Sequence, residues 1–278
     1  MTKIPIAEAI DRVVRWLQTH FGESIDAFSD SFGELIRNLE SLLALVPWWL
    51  LILLFALAAW RVSGWKLALG TVLGLAFIYN LQLWPAFLST LVLVFISALV
   101  SIVIGIPLGI VAGRNYRFHM IISPVLDFMQ TMPSFVYLIP ALLFLGIGTV
   151  PAVFATVIFA MPPAIRFTDL GIRQVPVDLV EVGEAFGSTP GQLLWKIQLP
   201  VALPTIMAGI NQTIMLSLSM VVIASMIGAG GLGAGVLEAI AQLKIGMGFE
   251  YGIAVVIIAI ILDRLTQGIG GSLRTGDK

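Results

Sequence analysis

The chain has 278 residues, 59% of them hydrophobic and 11% charged, with a formal net charge of -1 and a mean hydropathy of +1.02. A soluble domain carries about a quarter charged residues, so this composition argues against an ordinary soluble enzyme, and the near-neutral charge argues against a nucleic-acid binder. No cysteine is present, which removes disulfides, thiol nucleophiles and cysteine-based metal sites.

Residues 1–41 differ from the rest. They hold Glu8, Asp11, Glu23, Asp26, Asp30, Glu34 and Glu40 against Lys3, Arg12, Arg15 and Arg37. Ile6, Ile10, Val13, Val14 and Leu17, then Phe21, Ile25, Phe28, Phe32, Leu35, Ile36 and Leu39, recur at helical spacing. The pattern predicts one or two amphipathic helices, with Gly22 separating them. Such a segment either packs on the remaining chain or lies in a membrane interface. Its acidic polar face gives little attraction to anionic lipid. The start, MTKIPIAEAIDRVVRW, has mixed charge and no early apolar run, unlike a cleavable signal peptide.

Apolar runs of span length follow. They cover roughly 42–60, 65–84, 87–112, 120–148, 150–165, 203–228 and 249–269, which makes seven. Trp65 and Trp84 bracket the second like interface anchors. The third carries Gly105, Gly109 and Gly113 at four-residue spacing, which permits close helix contact. Pro107 predicts a kink in it. The fourth is broken by Pro124, Pro133 and Pro140, and the fifth is expected to end at Pro162, Pro163 and Arg166. The fold class is an all-α membrane protein. Seven spans put the termini on opposite sides, and the basic residues decide which is which. With the N-terminus outside, the inner loops hold Arg61 and Lys66, Arg114 and Arg117, Arg166, Arg173 and Lys196, then Arg264, Arg274 and Lys278. Among the outer loops between spans only Lys244 is basic.

Several chemistries are missing. His20 and His119 stand apart, with no metal-site spacing around either. No phosphate-binding G-x-x-x-x-G-K-[ST] sequence occurs, so ATP and magnesium are not expected on this chain. Gly228, Gly230, Gly231, Gly233 and Gly235 lack a following lysine and read as a flexible segment at the outer end of a span. Asn211-Gln212-Thr213 fits a glycosylation sequon by chance, inside an apolar run. Ionisable residues deep within spans are scarce: Asp127 early in the fourth and Asp263 and Arg264 late in the seventh, read as interfacial or paired charges.

One sizeable hydrophilic loop lies between spans, at 166–202. Pro176 starts a helix there and Asp178 suits its first turn. Leu179, Val182 and Phe186 fall on one face, and Gly187 ends the helix. Ser188 or Thr189 can cap a second helix with Pro190 at its first position. Leu193, Leu194 and Ile197 make the apolar face of that helix, and Pro200 and Pro204 are expected to stop it. An inner loop with exposed apolar residues suits either a packed cap or a docking surface.

Glu181, then Gly187, then Ile197-Gln198-Leu199-Pro200 resembles the EAA motif of importer-type ABC permeases. The motif reads E-A-A, three residues, G, nine residues, I-x-L-P. Val182 and Gly183 stand where that family often has alanines. The segments MPSFVYLIPALLFLGIG, MPPAIRFTDLGIRQVP and NQTIMLSLSMVVIASMIGAGGLG also resemble permeases of glycine betaine/proline-type uptake systems. The resemblance covers most of the chain after about residue 85 and implies a type I importer permease with a five-helix core. The expected domains are an extracytoplasmic tail at 1–41, two additional spans at 42–84, a core at 85–270 and a cytoplasmic tail at 271–278. Implied partners are two cytoplasmic ATPases carrying ATP and magnesium, a second permease copy as a homodimer, and an extracytoplasmic substrate-binding protein. Glu181, Val182, Gly183, Phe186, Gly187, Ile197, Leu199 and Pro200 would couple the core to the ATPase. A quaternary ammonium is recognised by aromatic faces, so Phe128, Phe135 and Tyr137, with Met215, Met220 and Met226, are the candidate pathway residues. The other reading is a stand-alone channel or ion-coupled carrier for a small zwitterion. A single cysteine at Ser29 should react with a membrane-impermeant thiol reagent in intact cells; reaction only after the membrane is broken would reverse the orientation.

Overall fold

The computed structural model describes residues 6–275. Lys3 and Lys278, and the side chains of Ile6, Glu8, Ile10, Asp11, Val13 and Arg274, lie outside the described part. Among the described residues the chain is helical, with no strand. Helix α1 covers Ile6–Leu45, α2 Trp48–Ser63, α3 Trp65–Asn80 and α4 Trp84–Arg114. Then come α5 (Tyr116–Thr131), a short turn at Ser134–Tyr137, α6 (Leu138–Leu145) and α7 (Thr149–Arg173). The loop helices are α8 (Val177–Ala185) and α9 (Pro190–Leu193). Helices α10 (Leu199–Ala224), α11 (Leu232–Ala241) and α12 (Ile245–Thr275) complete the chain.

Gly22 does not divide the N-terminal segment, because α1 is one continuous helix. A glycine in a helix interior costs about 1 kcal/mol relative to alanine, too little to break forty residues with a continuous apolar stripe. The break falls instead at Pro47, where α1 and α2 meet at 96°. That angle lays α1 across the end of the bundle. Ile36 is fully buried, and Gly33 sits against Val150 of α7. Trp16, Phe21 and Phe28 are exposed, although Gln18 between them donates to the Leu143 carbonyl of α6.

The seven apolar runs of the sequence fall on α2, α3, α4, the α5–α6 pair, α7, α10 and α12. Four of these runs are long and apolar enough to cross a membrane alone: α4, α7, Pro190–Ile227 and Ile245–Gly270. Two bent pairs bring the number to six. Helix α2 is 16 residues and α3 is 16. Each is about 24 Å at 1.5 Å per residue, short of a hydrocarbon layer of about 30 Å. The expected fourth span is bent by 108° between α5 and α6. Met132 is extended there, since the residue before a proline is pushed out of the helical region. The expected fifth span runs through Pro162 and Pro163 to Arg173. Both prolines are buried, so packing holds the helix where local preference would end it.

Helix α7 is central. Gly105, Gly109 and Gly113 of α4 lie directly on it: a Cβ at Gly109 would stand 2.6 Å from the Ile165 carbonyl oxygen and 2.6 Å from Thr168 Cβ. From the other side Gly209 of α10 approaches Phe167 and Pro163. The main core spreads outward from this stack, through Phe87 and Leu93 of α4, Val153 of α7, Met220 of α10 and Ile258 of α12. At one end Trp48 stacks on Tyr79, with ring centroids 4.4 Å apart, and Trp84 meets Tyr79 edge-on. The glycine run at 228–235 is an ordered turn at that end. Gly228 and Gly231 adopt positive φ, and the Thr90 hydroxyl accepts the Leu232 N–H at 2.8 Å to start α11.

Gly109→Ala should lower the thermal midpoint of the detergent-purified protein, since overpacking costs about 1–3 kcal/mol. Gly70 has open space around it, so Gly70→Ala should leave the midpoint unchanged or slightly raised. Equal midpoints for the two variants would remove the seam from the explanation.

Candidate functional site

The loop between α7 and α10 lies at the other end. Pro176 precedes α8, and Asp178 sits in its first turn. The helix closes with two bonds. Ser188 N–H donates to the Gly183 carbonyl at 3.0 Å and Gly187 N–H to the Glu184 carbonyl at 2.8 Å. This pairing needs a left-handed residue just past the helix, and Gly187 supplies it with φ 76°. Thr189 then caps α9. It accepts from the Gln192 N–H, while its own N–H donates to Gln192 Oε1 at 2.8 Å. Pro190 occupies the first turn, where a missing N–H costs nothing.

Pro200 and Pro204 do not stop the second helix. Residues 194–198 form a π turn in which Leu199 N–H reaches back to the Leu194 carbonyl. The wider turn moves the hydrogen-bond register by one residue. Pro200, which has no N–H to give, therefore falls in the first turn of α10 rather than inside a regular ladder.

One face of the loop is packed inward. A Cβ on Gly183 would stand 2.6 Å from both Leu193 Cδ2 and Ile197 Cδ1. Glycine there lets α8 seat directly on the second helix, which accounts for the departure from alanine. Leu193 and Leu194 are buried, and Ile197 and Leu199 half-buried. Beneath lies a small apolar cluster of Ile172, Leu194, Ala202 and Ile206. The other face is open. Phe186 is 87% exposed and Trp195 71%, and Val177, Leu179 and Val182 are exposed beside them. Glu181, Gly187 and Pro200 are exposed as well. Glu181 carries a carboxylate on this apolar crest and bonds to no described residue.

Charges secure the base of the loop. His119 Nδ1 lies 2.7 Å from Asp169 Oδ2, and Arg173 Nε donates to Asp169 Oδ1 at 3.0 Å. The Arg173 guanidinium also lies over the Tyr116 ring. This cluster ties the start of α5 to the end of α7. His119 thus has a carboxylate partner fifty positions away, which no local spacing reveals. Asp127 pairs with Arg166 across the same two helices. Asp263 accepts from Asn211 at 3.1 Å and from Gln267 at 2.6 Å. Asn211 therefore has a structural partner inside the bundle. Among the described residues no group of His, Cys, Asp and Glu could hold a metal.

The candidate pathway residues separate into two sets. Phe128, Phe135 and Met226 are exposed. Tyr137 and Met220 are buried in the main core, with the Tyr137 ring edge-on to Phe159 and its hydroxyl donating to the Met129 carbonyl. Met215 is half-buried. The three aromatics do not form one accessible cage within a single chain.

Residues 105–274 match the family of binding-protein-dependent transport system inner membrane components. The chain belongs to this family. Among its relatives is the glycine betaine transport system permease protein OpuAB of Bacillus subtilis, 52% identical over 97% of this chain and 95% of the relative. The glycine betaine/carnitine transport permease protein GbuB of Listeria monocytogenes is 53% identical over 95% of each. The glycine betaine/proline betaine transport system permease protein ProW of Escherichia coli is 47% identical over 99% of this chain and 77% of the relative. Among solved structures, the MetNI methionine ABC transporter in an inward-facing conformation superposes with a TM-score of 0.61 at 22% identity. That match covers 66% of this chain and 93% of the other, and it shows a shared type I importer permease fold.

No atom crowds Gly187, so substitution there meets only backbone strain. A left-handed conformation costs a side-chain-bearing residue about 1–2 kcal/mol, equivalent to about 5–30-fold in an opening equilibrium. Gly187→Val should raise protease nicking between α8 and α9 by about that factor. Gly187→Asn should raise it much less, because asparagine tolerates the conformation. Identical nicking in both would mean that the turn is not held by its backbone geometry.

Proposed function

We propose that this permease is the membrane subunit of an ATP-driven importer for glycine betaine or a related small zwitterion or quaternary amine, such as carnitine, choline or proline. The relatives described above carry glycine betaine, carnitine or proline betaine in their names. The observation that carries the ATP-driven reading is the open apolar crest of the loop, with Phe186 at its summit and Glu181 beside it. An exposed patch of this kind marks a protein contact. Two cytoplasmic ATPases, two copies of this chain and an extracytoplasmic binding protein complete the assembly. The chain sits in the cytoplasmic membrane with its N-terminus outside and the loop inside. ATP and magnesium belong to the ATPases.

The loop suits mechanical transmission. It is continuous with α7 on one side and α10 on the other, and Gly183 locks α8 onto Leu193 and Ile197. A partner that grips Phe186, Val182 and Glu181 therefore moves both long helices together. ATP favours one arrangement of the ATPases and shifts the permease between inward-open and outward-open states by that differential affinity. Glu181→Lys and Gly187→Val should then leave the protein inserted and uncouple transport from hydrolysis.

Burying a phenylalanine side chain is worth about 1.5–3 kcal/mol, or about tenfold to a hundredfold in affinity. The tagged chain co-expressed with its neighbouring genes should bring down an ATPase in stoichiometric amount. Phe186→Asp should weaken that association by at least tenfold at normal membrane levels. No associated ATPase, with uptake intact, would instead favour a stand-alone channel or carrier.

A further inference from the structure

We propose that the exposed face of α10 is the wall along which the transported solute moves, with Gln212 as the polar contact at mid-depth. This rests on the importer reading above. Beyond Pro200 in its first turn, α10 leaves Val201, Ala208, Gln212 and Ser219 open, with Met215 half-open between them and Met226 open in the turn that follows. Their spacing of three, four or seven residues places them on one stripe. Its composition is unlike that of the open mid-helix faces of α4 and α12. Helix α4 exposes Phe95, Leu99 and Val103, and α12 exposes Ile253, Val256 and Ile260. Those are large apolar side chains, as contact with lipid tails requires.

Gln212 stands near the middle of α10, about 18–20 Å from either end at 1.5 Å per residue. Its side chain has no hydrogen-bond partner among the described residues and is exposed. Hydrocarbon offers an amide no partner, and leaving one unsatisfied there is strongly unfavourable. Polar side chains at such depth face a water-filled cavity or a neighbouring chain. The stripe therefore does not face lipid.

A cavity at the same place distinguishes further. A cleft of about 670 Å³ lies between α7, α10 and α12, lined in part by Phe167, Thr205, Asn211, Gln212, Thr266 and Gln267. Three of its polar groups are fixed in place: Asn211 and Gln267 donate to Asp263, and the Thr266 hydroxyl bonds Asn211 Oδ1. By contrast, the cleft between α11 and α12 is walled by Val236, Ile240, Phe249, Ile253 and other apolar residues. Gln212 belongs to both cleft and stripe, so the one opens onto the other. The break between α5 and α6 supports the same assignment. Its turn at Ser134–Tyr137 touches α10 and leaves Phe135 exposed. Irregular backbone at membrane depth is tolerated where it lines a cavity, and an aromatic face there suits a quaternary ammonium. The stripe itself offers amide, hydroxyl and thioether groups and no fixed charge. A zwitterion is solvated along it without being trapped.

The chain has no native cysteine, so single cysteines at Ala208, Gln212 and Ser219 can be compared with controls at Phe95, Val103 and Val256. The whole complex, with its ATPases, is reconstituted in proteoliposomes and treated with a methanethiosulfonate reagent bearing a trimethylammonium group. The stripe positions should react at least tenfold faster than the controls. Glycine betaine should slow that reaction, and modification should cut ATP-driven betaine uptake at least tenfold. Ser219→Cys is nearly isosteric and guards against a folding artefact. Reaction at control rates, or modification that leaves uptake intact, overturns the assignment. So does oxidative cross-linking of Gln212→Cys or Ser219→Cys between two copies in every nucleotide state, which would make the stripe a subunit seam. A reactive stripe in a complex whose unmodified form takes up no betaine would keep the wall and remove the betaine importer reading.

Discussion

The structure depends on how closely three helices can approach. Helix α7 is gripped by α4 through Gly105, Gly109 and Gly113, and by α10 through Gly209. Lipid tails are as apolar as the side chains that would meet them, so burial of apolar surface does not by itself hold helices together in a bilayer. Close van der Waals contact over small residues does. Here backbone meets side chain with no room for a methyl group, and the prolines of α7 are carried inside that contact without ending the helix.

The consequence for function runs along the chain. Because α7 and α10 are fastened to each other, the loop that joins them inherits a rigid base. The base is reinforced by Asp169, which takes His119 from α5 and Arg173 from its own helix. The caps of the loop, at Gly187 and Thr189, satisfy the backbone locally and leave the apolar crest to a partner. The polar face of α10 begins on the same rigid base.

Legibility in the sequence followed the range of the interaction. The glycine spacing of α4 was legible because four-residue repeats face one way on a helix. Pro176, Gly187, Thr189 and Pro190 announced the loop helices because capping is decided within six residues. Three things were not local. The continuity of α1 through Gly22 depends on an apolar stripe longer than any window around the glycine. The passage of α7 through Pro162 and Pro163 depends on burial by helices far away in sequence. The pairing of His119 with Asp169 depends on how α5 meets α7. Tyr137 and Met220 look like ligand-binding side chains by type and are core residues by position. The reverse holds for Gln212, a neighbour of Asn211 in an apolar run whose exposure at mid-helix only the fold reveals.

The π turn at 194–198 carries a constraint of phase. Each residue advances a helix by about 100° of rotation. One residue added or removed between Thr189 and Pro200 would turn all of α10 by that angle relative to the crest. A removal would put Gly209 where exposed Ala208 now lies, and an addition would put Gln212 where buried Thr213 now lies. The interval from Gly187 to Ile197 is therefore a setting of rotation as much as a length. It fixes the direction in which the faces of α10 point relative to the crest of the loop.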